Sequence, residues 1–263
     1  MTSPASPEPF FLDGPHGACF CLWYPVPAPR RAAVVLPPFA EEMNKSRRML
    51  SLAARALQSH GVAVLLPDLG GTGDSAGDHS DASMARWREE VAAMSAWIGE
   101  RLPGSVDVLA LRTGALLCDA IANPGRVCLW QPVVDGRRYL AQFLRLALAA
   151  GLTGKRDADV SPQRLRERLA AGDTIEVAGY ALSPALVTGL ESARLEPAAL
   201  AGAERIDQFE LVAQAETPAT PAAQSWAAAA GANLHTCVGV PFWQSGEIVT
   251  LPALIDATAA LWP

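Results

Sequence analysis

VDVLALRTGA, residues 106–115, joins a short apolar run to a turn built from small residues. The apolar run predicts a buried β-strand at 106–111, and the pattern after it predicts a helix at 113–122. Ala110 and Gly114 are small enough for a sharp strand-to-helix turn, where the backbone is strained and neighbouring segments lie close. The sequence therefore predicts a tight bend with Arg112 at its centre.

Strand-like and helix-like segments alternate on both sides of this bend. Short apolar runs bounded by Gly or Pro predict further strands at 18–24, 32–36, 62–66, 127–130, 208–212 and 233–238. Apolar residues at spacings of three and four predict helices at 44–60, 83–102 and 252–261. Strand, helix and strand in this order form right-handed βαβ units, so we expect a mostly parallel sheet with helices on both faces.

The alternation breaks between residues 136 and 203. Four pieces follow one another there: an amphipathic piece at 139–148, an Arg-rich helix at 162–170, a strand-like stretch at 174–178 and a helix at 184–190. We interpret this segment as an inserted cap. The chain then divides into a first core part (1–135), the cap (136–203) and a last core part (204–263).

Composition excludes several classes of protein. The 263 residues are 50% hydrophobic and carry a net charge of −6, which argues against a disordered chain and against a general nucleic-acid binder. Residues 217–246 carry no charged side chain, but prolines and amides interrupt them, so they predict buried strand and loops rather than a membrane span.

Cysteine usage and the N-terminus point to a reducing compartment. The five cysteines form no CxxC pair and no histidine cluster is present, which predicts buried free thiols, no metal site and no cofactor. The N-terminal residues lack a basic segment before Arg30 and contain several prolines, so no signal peptide is predicted and we expect a cytoplasmic protein.

The order of the predicted elements is typical of the α/β-hydrolase fold. An antiparallel start, a parallel core, a cap after the sixth strand, two more strands and a last helix make up that layout. The fold carries its nucleophile on a Gly-x-Ser-x-Gly turn. Here Arg112 fills the nucleophile position, and a guanidinium is always protonated and a very poor nucleophile. Its fork of donors suits a carboxylate or a phosphate, so Arg112 either pairs with an acid in an inactive pocket or binds a ligand.

Another loop of that fold is retained. DLGGTGDS, residues 68–75, resembles the Asp-x-x-Gly-x-Gly-x-Ser loop that follows the fourth strand. We expect Asp68, Gly71 and Gly73 to have a structural role. Ser75 and His79 are close in sequence, but a serine in a turn is far more common than a catalytic one.

The remaining positions of a Ser-His-acid triad match poorly. Glu216 lies near the place of the acid, after the predicted strand 208–212. The loop after the last strand, residues 239–247, contains no histidine, and His235 lies on the strand itself, where we expect it to be packed. The sequence therefore predicts no conventional serine hydrolase.

Five segments together are similar to the exosortase A system-associated hydrolase family, second type. They read PFAEEMNKSR (38–47), LRTGALL (111–117), LWQPVVDG (129–136), AGYALSP (178–184) and FWQSGEI (242–248). The similarity extends from about residue 9 to the end of the chain. It implies the α/β-hydrolase fold and a bacterial gene beside an exosortase A and exopolysaccharide locus, with arginine at the nucleophile turn as a feature of the family. It implies no established substrate.

Polar residues of these segments are expected at the carboxyl ends of the parallel strands, where open α/β sheets bind ligands. Burying a guanidinium without a carboxylate or bound anion would cost several kcal/mol. We therefore predict a partner for it among Glu41, Glu42 and Glu247, although acids at a helix start also occur simply because the helix dipole favours them. The candidate ligand-binding residues are Phe39, Glu41, Glu42, Asn44, Arg112, Thr113, Gln131, Asp135, Trp243 and Glu247.

Three functions fit these expectations. The first is a binding or accessory protein for a small anionic, sugar-derived or acyl-derived ligand held in a pocket under the cap. The second is a hydrolase in which Glu41, Glu42 or Glu247 activates a water, while Arg112 stabilises negative charge and the Phe39 N–H could act as an oxyanion donor. The third is a structural partner of the membrane-bound exosortase machinery that docks through the cap. A second copy of the chain or a protein of that locus could be a partner, whereas nucleic acid and membrane insertion are not expected.

Overall fold

The computed structural model describes residues 5–149 and 161–262, and an eight-stranded sheet forms its centre. The sheet order is β1-β2-β4-β3-β5-β6-β9-β10, with β1, β2 and β4 paired antiparallel and all other neighbours parallel. The strands of this sheet are β1 (Glu8–Gly14), β2 (Gly17–Tyr24), β3 (Arg31–Leu36), β4 (Val62–Pro67), β5 (Val106–Leu111), β6 (Pro124–Trp130), β9 (Arg205–Val212) and β10 (Asn233–Val238). A separate hairpin contains β7 (Ile175–Val177) and β8 (Tyr180–Leu182).

Helices cover both faces of the sheet. They are α1 (Glu41–Ser59), α2 (Met84–Arg101), α3 (Gly136–Ala149), α4 (Pro162–Ala170), α5 (Pro184–Ser192), α6 (Pro221–Ala230) and α7 (Pro252–Ala259). Alternate residues of β5 enter two different apolar clusters: Val108 packs with residues of α2, and Leu109 with residues of α1 and α7. This alternation is expected for a strand buried on both faces. The predicted mostly parallel sheet with two covered faces is confirmed.

Residues 217–246 contain a helix, so the prediction of strand and loops there is wrong for part of the segment. Thr220 caps α6 by accepting a hydrogen bond from the Ala223 N–H, and Pro221 occupies the first turn. Ala223, Trp226 and Ala227 form its buried side. The absence of charge misled the prediction, because a run of alanines favours a helix without any charged face.

The segment after β5 also differs from its prediction. It forms a 3₁₀ helix over Arg112–Ala120 instead of an α-helix over 113–122. Thr113 to Cys118 are all buried, between β3, β5, β6 and α2. Packing on several sides therefore fixes this segment, and the periodicity of one apolar face does not describe it.

The segment between β6 and β9 contains α3, α4, the β7–β8 hairpin and α5. The strand-like stretch 174–178 is thus the first half of a hairpin whose second half the sequence did not indicate. Division of the chain into core and cap at residues 136 and 203 stays a prediction. Within the described ranges, no helix has both the length and the apolar composition needed to cross a bilayer.

Candidate functional site

Arg112 stands in the bend between β5 and the 3₁₀ helix. Its φ of 52° lies in the left-handed region, which side-chain-bearing residues rarely adopt. The next turn of chain lies so close to β3 that a Cβ on Gly114 would collide with the Leu36 carbonyl oxygen. The Val133 N–H donates to the Arg112 carbonyl at 3.0 Å and holds the bend against the segment after β6. A guanidinium therefore occupies a strained, tightly packed turn at the carboxyl end of β5.

Glu42, in the first turn of α1, is the acid that faces this guanidinium. Arg112 Nε donates to Glu42 Oε2 at 3.2 Å and Nη2 donates to Oε1 at 3.4 Å, which makes the pair bidentate. A third donor, Nη1, reaches the carbonyl oxygen of Gln131 at 3.3 Å. The side chains of Arg112 and Glu42 are 14% and 9% exposed. The pair is therefore largely removed from water, and each charge compensates the other.

Burial raises the pKa of Glu42 above its usual value, and the Arg112 charge and hydrogen bonds from Arg112 and Gln244 oppose that rise only in part. Aromatic rings complete the surroundings. The guanidinium carbon lies 5.0 Å from the Trp243 ring centre and 5.9 Å from that of Tyr139. Cation–π contacts of this kind attract a guanidinium to the face of a ring in a partly dry site.

A cavity of about 360 Å³ opens beside Arg112. Its walls come from the segment after β6, from α3, from β9 and from α6. Asp135 accepts from the Arg138 N–H at 3.0 Å and forms ion pairs with the side chains of Arg138 and Arg194. The polar lining residues are Arg112, Gln131, Asp135, Arg138, Tyr139, Gln142, Gln208, Glu210 and Thr220.

Glu210 is the acid in the lining of the cavity that was not predicted from the sequence. Its Oε1 accepts from Gln208 Nε2 at 3.1 Å and its Oε2 accepts from Gln131 Nε2 at 3.0 Å. Burial raises its pKa, and the hydrogen bonds and the Arg112 charge counteract this only in part. The signal was present in β9, where Gln208 and Glu210 are two residues apart and so share one face of a buried strand. The predicted acid was instead Glu216, which follows the strand and is exposed.

Several predicted site residues do not face this cavity. The carboxylate of Glu41 accepts from the Tyr180 hydroxyl at 3.3 Å and lies 3.6 Å from Lys45 Nζ. Asn44 donates to the same Tyr180 hydroxyl at 2.7 Å. Glu247 is exposed in the loop after β10. The first acid of the Glu-Glu pair therefore turns toward the β7–β8 hairpin and the second turns inward.

Phe39, Thr113 and Trp243 are buried next to the site but have different neighbours. The Phe39 N–H donates to the Thr113 hydroxyl at 2.8 Å, so the expected oxyanion donor is engaged within the protein. Trp243 lines a separate, mainly apolar groove of about 510 Å³, which shares Gln131 with the polar cavity. Phe39 and Thr113 line a third, small and mainly apolar pocket. The predicted residues are thus divided among separate compartments and the hairpin contact and do not surround a single pocket.

The residues weighed as alternative catalytic groups have structural contacts. Ser75 Oγ donates to the Asp68 carbonyl at 2.7 Å and accepts from the Phe20 N–H at 2.8 Å. His79 Nδ1 bonds the Ala181 carbonyl at 2.7 Å. His235 is packed as expected, 2.8 Å from the Asp207 carboxylate and stacked on a phenylalanine. None of these contacts joins a serine to a histidine.

Asp68 organises its loop as predicted. It accepts from the Asp74 N–H at 3.1 Å and pairs with Arg47 at 3.0 Å, and a side chain at Gly73 would collide with its carboxylate.

The five cysteines are buried and free, and burial raises the pKa of Cys19 and Cys21 to about 12. No group of metal-binding side chains is found in the part of the chain that the structure covers.

No family model and no curated protein matches this chain. Solved structures do resemble it. Est1E from Butyrivibrio proteoclasticus, with ferulic acid bound, superposes with a TM-score of 0.67 at 14% identity over 96% of this chain and 97% of that one. The α/β hydrolase GrgF from Penicillium sp. sh18 gives 0.63 at 15% identity over 98% of both chains. An α/β serine hydrolase homologue from Coxiella burnetii gives 0.54 at 13% identity over 97% and 95%. These similarities confirm the α/β-hydrolase fold, and at such identities they carry the fold alone.

Proposed function

We propose that this protein binds a small anionic, sugar-derived or acyl-derived ligand in the polar cavity beside Arg112, under α3. The observation that supports this is a cavity of about 360 Å³ at the carboxyl ends of the strands, lined by charged and amide side chains. Arg112 uses its fork on Glu42 and on one carbonyl, which leaves N–H groups of Nη1 and Nη2 for a ligand.

We further propose that the protein does not use a conventional acyl-enzyme mechanism. Arg112 occupies the position of the attacking group, and a guanidinium cannot form an acyl intermediate at neutral pH. Ser75 and His79 each bond a backbone carbonyl. A conventional mechanism needs a serine within hydrogen-bond reach of its base.

A non-conventional ester or thioester hydrolase is the second candidate. Glu210 lines the cavity and burial raises its pKa, which makes it a stronger base than an ordinary carboxylate. It would activate a water while Arg112 stabilises negative charge on the substrate oxygen. Glu41, Glu42 and Glu247 do not line the cavity whereas Glu210 does, so Glu210 is the best-placed base of the four.

The genetic setting is a further part of the proposal and rests on the motif similarity alone. A protein encoded beside an exosortase A and exopolysaccharide locus would be expected to encounter sugar-derived or acyl-derived compounds. Docking of the cap on exosortase machinery is the third function, and the cavity favours ligand binding over it.

A thermal-shift screen tests the proposal. Monosaccharides, sugar phosphates and short acyl compounds are added to the full chain, since a ligand that prefers the native state raises Tm. We expect at least one compound to raise Tm, and Arg112→Gln and Ala222→Trp, which fills the cavity mouth, to abolish the rise. Arg55→Gln, an exposed substitution on α1, serves as the control.

Turnover separates the two candidates. Aryl esters and thioesters are incubated with the same variants and with Glu210→Gln. Hydrolysis that Glu210→Gln abolishes would support the second candidate. Absence of both Tm shifts and turnover would overturn both.

A further inference from the structure

Charges around the polar cavity are balanced. Glu42 compensates Arg112, and Asp135 lies between Arg138 and Arg194. Glu210 brings a third carboxylate to these three guanidinium groups. The described lining residues themselves carry two guanidinium groups, Arg112 and Arg138, and two carboxylates, Asp135 and Glu210. An anionic ligand would therefore meet no surplus cation there, and it would lie close to the carboxylate of Glu210. Like charges at short range in a partly dry site are strongly unfavourable.

Two amides hold the Glu210 carboxylate in one orientation. The Leu211 N–H donates to Gln131 Oε1 at 2.7 Å, so the amide nitrogen of Gln131 must face Glu210. Gln208 presents its own amide nitrogen to the other carboxylate oxygen. Each carboxylate oxygen accepts one of these bonds and retains a lone pair for another donor. Glu210 is thus a fixed acceptor on the wall of the cavity.

A second acceptor next to it has no partner. Since the Gln208 nitrogen bonds Glu210, its Oε1 points elsewhere, and this oxygen is buried without a hydrogen bond among the described residues. The hydroxyl of Tyr139, also a lining residue, is buried and unpartnered in the same way. A buried polar atom without a partner costs about 1–3 kcal/mol. A ligand with hydroxyl groups would remove that cost, whereas a ligand with only acceptor oxygens would not satisfy Gln208.

We propose that the cavity binds a neutral, hydroxyl-rich ligand about the size of one sugar unit, whose hydroxyl groups donate to Glu210 and Gln208. This rests on the proposed binding function and narrows its ligand to the sugar-derived class in an uncharged form. The apolar wall suits the C–H face of a sugar ring, since Val133, Ala223 and Trp226 line the same cavity. The remaining N–H groups of Arg112 face ligand oxygens as donors, and its charge stays compensated by Glu42.

The test is a binding panel on the full chain by calorimetry and ligand-observed NMR. Neutral monosaccharides are compared with the matching sugar phosphates and uronic acids and with short acyl compounds. We expect a neutral sugar to bind more tightly than its charged counterparts. Glu210→Gln should weaken that binding at least about tenfold, which corresponds to roughly 1.4 kcal/mol, because the amide replaces an acceptor by a donor. Glu100→Gln, an exposed substitution on α2, should leave binding unchanged.

Glu42→Gln provides a second measurement that a merely damaged site would not give. It frees the Arg112 charge, so the preference should shift toward the sugar phosphate. Preference of the unmodified protein for phosphate, uronate or acyl compounds would overturn the ligand class and leave the binding function standing. Binding of a neutral sugar that Glu210→Gln does not weaken would also overturn it. Absence of binding by every compound would overturn the binding function itself.

Discussion

Two ion pairs flank the ends of the same strand, β5, and they are built differently. At the start of the strand, Asp107 is fully buried and accepts four hydrogen bonds of 2.6–2.8 Å, two of them from Arg31 and the others from the Arg126 N–H and the Trp262 indole. After its end, Arg112 reaches Glu42 through longer bonds of 3.2 and 3.4 Å and borders a cavity.

The difference separates a structural pair from a candidate functional one. Both oxygens of Asp107 are saturated by short bonds, so a ligand could gain little there. Arg112 keeps unused donors, and its neighbour Gln208 keeps an unused acceptor. The first pair therefore has its hydrogen-bonding capacity filled within the protein, whereas the second keeps groups that a ligand can use.

Asp107→Ala should have the largest effect on stability. It leaves the partly buried Arg31 and two further donors without their acceptor, so we expect a loss of about 3–5 kcal/mol in the free energy of unfolding. Urea unfolding followed by tryptophan fluorescence measures it. Asp119→Ala, which removes a more exposed ion pair with Arg88, should cost less than about 1 kcal/mol. Equal losses in the two variants would mean that the buried pair of Asp107 stabilises the fold no more than an exposed ion pair does.

A double-mutant cycle on Arg112 and Glu42 should show a smaller but coupled effect. Arg112→Gln and Glu42→Gln each leave one buried group unpaired, and we expect each to cost about 1–3 kcal/mol. The double variant removes both charges, so its loss should fall short of the sum by about 1 kcal/mol. Additive losses in urea unfolding would mean that the two side chains do not stabilise each other.

The sequence was sufficient to predict the bend at Arg112 but not to predict which glutamate pairs with it. Small residues around Arg112 permit a tight turn directly after an apolar strand, and this pattern is a local property of residues 108–115. Whether Glu41 or Glu42 turns inward depends on the angle at which α1 starts, after Ala40 with its φ of 53°. Consecutive residues of a helix point about 100° apart, so the wrong starting angle exchanges their roles.

Glu210 was missed because its contact with Gln131 depends on the pairing of two strands that are far apart in sequence. Gln131 follows β6 and Glu210 lies on β9, about 80 residues later, and the parallel pairing of these two strands brings them together. Neither segment alone determines the register of that pairing. The polar Gln208 and Glu210 on one face of a buried strand were still a readable sign, since a buried acid needs hydrogen-bonding partners.

The pH dependence of stability should show the smallest effect. It tests whether the Arg112–Glu42 pair is as tight as the pair that Asp107 forms. Burial raises the pKa of Glu42, so the folded state takes up a proton at a higher pH than the unfolded state does. Ionisation of this carboxyl is therefore less favourable in the folded state than in the unfolded state, and this penalty is relieved as pH falls through the raised pKa toward the usual value of about 4.3.

The stability of the unmodified protein relative to Glu42→Gln should thus improve from about pH 7.5 to about pH 5, by up to roughly 1 kcal/mol. Urea unfolding at the two pH values measures this change, and Glu100→Gln should show none. A relative stability that instead declines toward pH 5 would mean that attraction to Arg112 outweighs burial. In that case the pair would be a tight structural one like that of Asp107, and the Arg112 guanidinium would not be available to a ligand in the cavity.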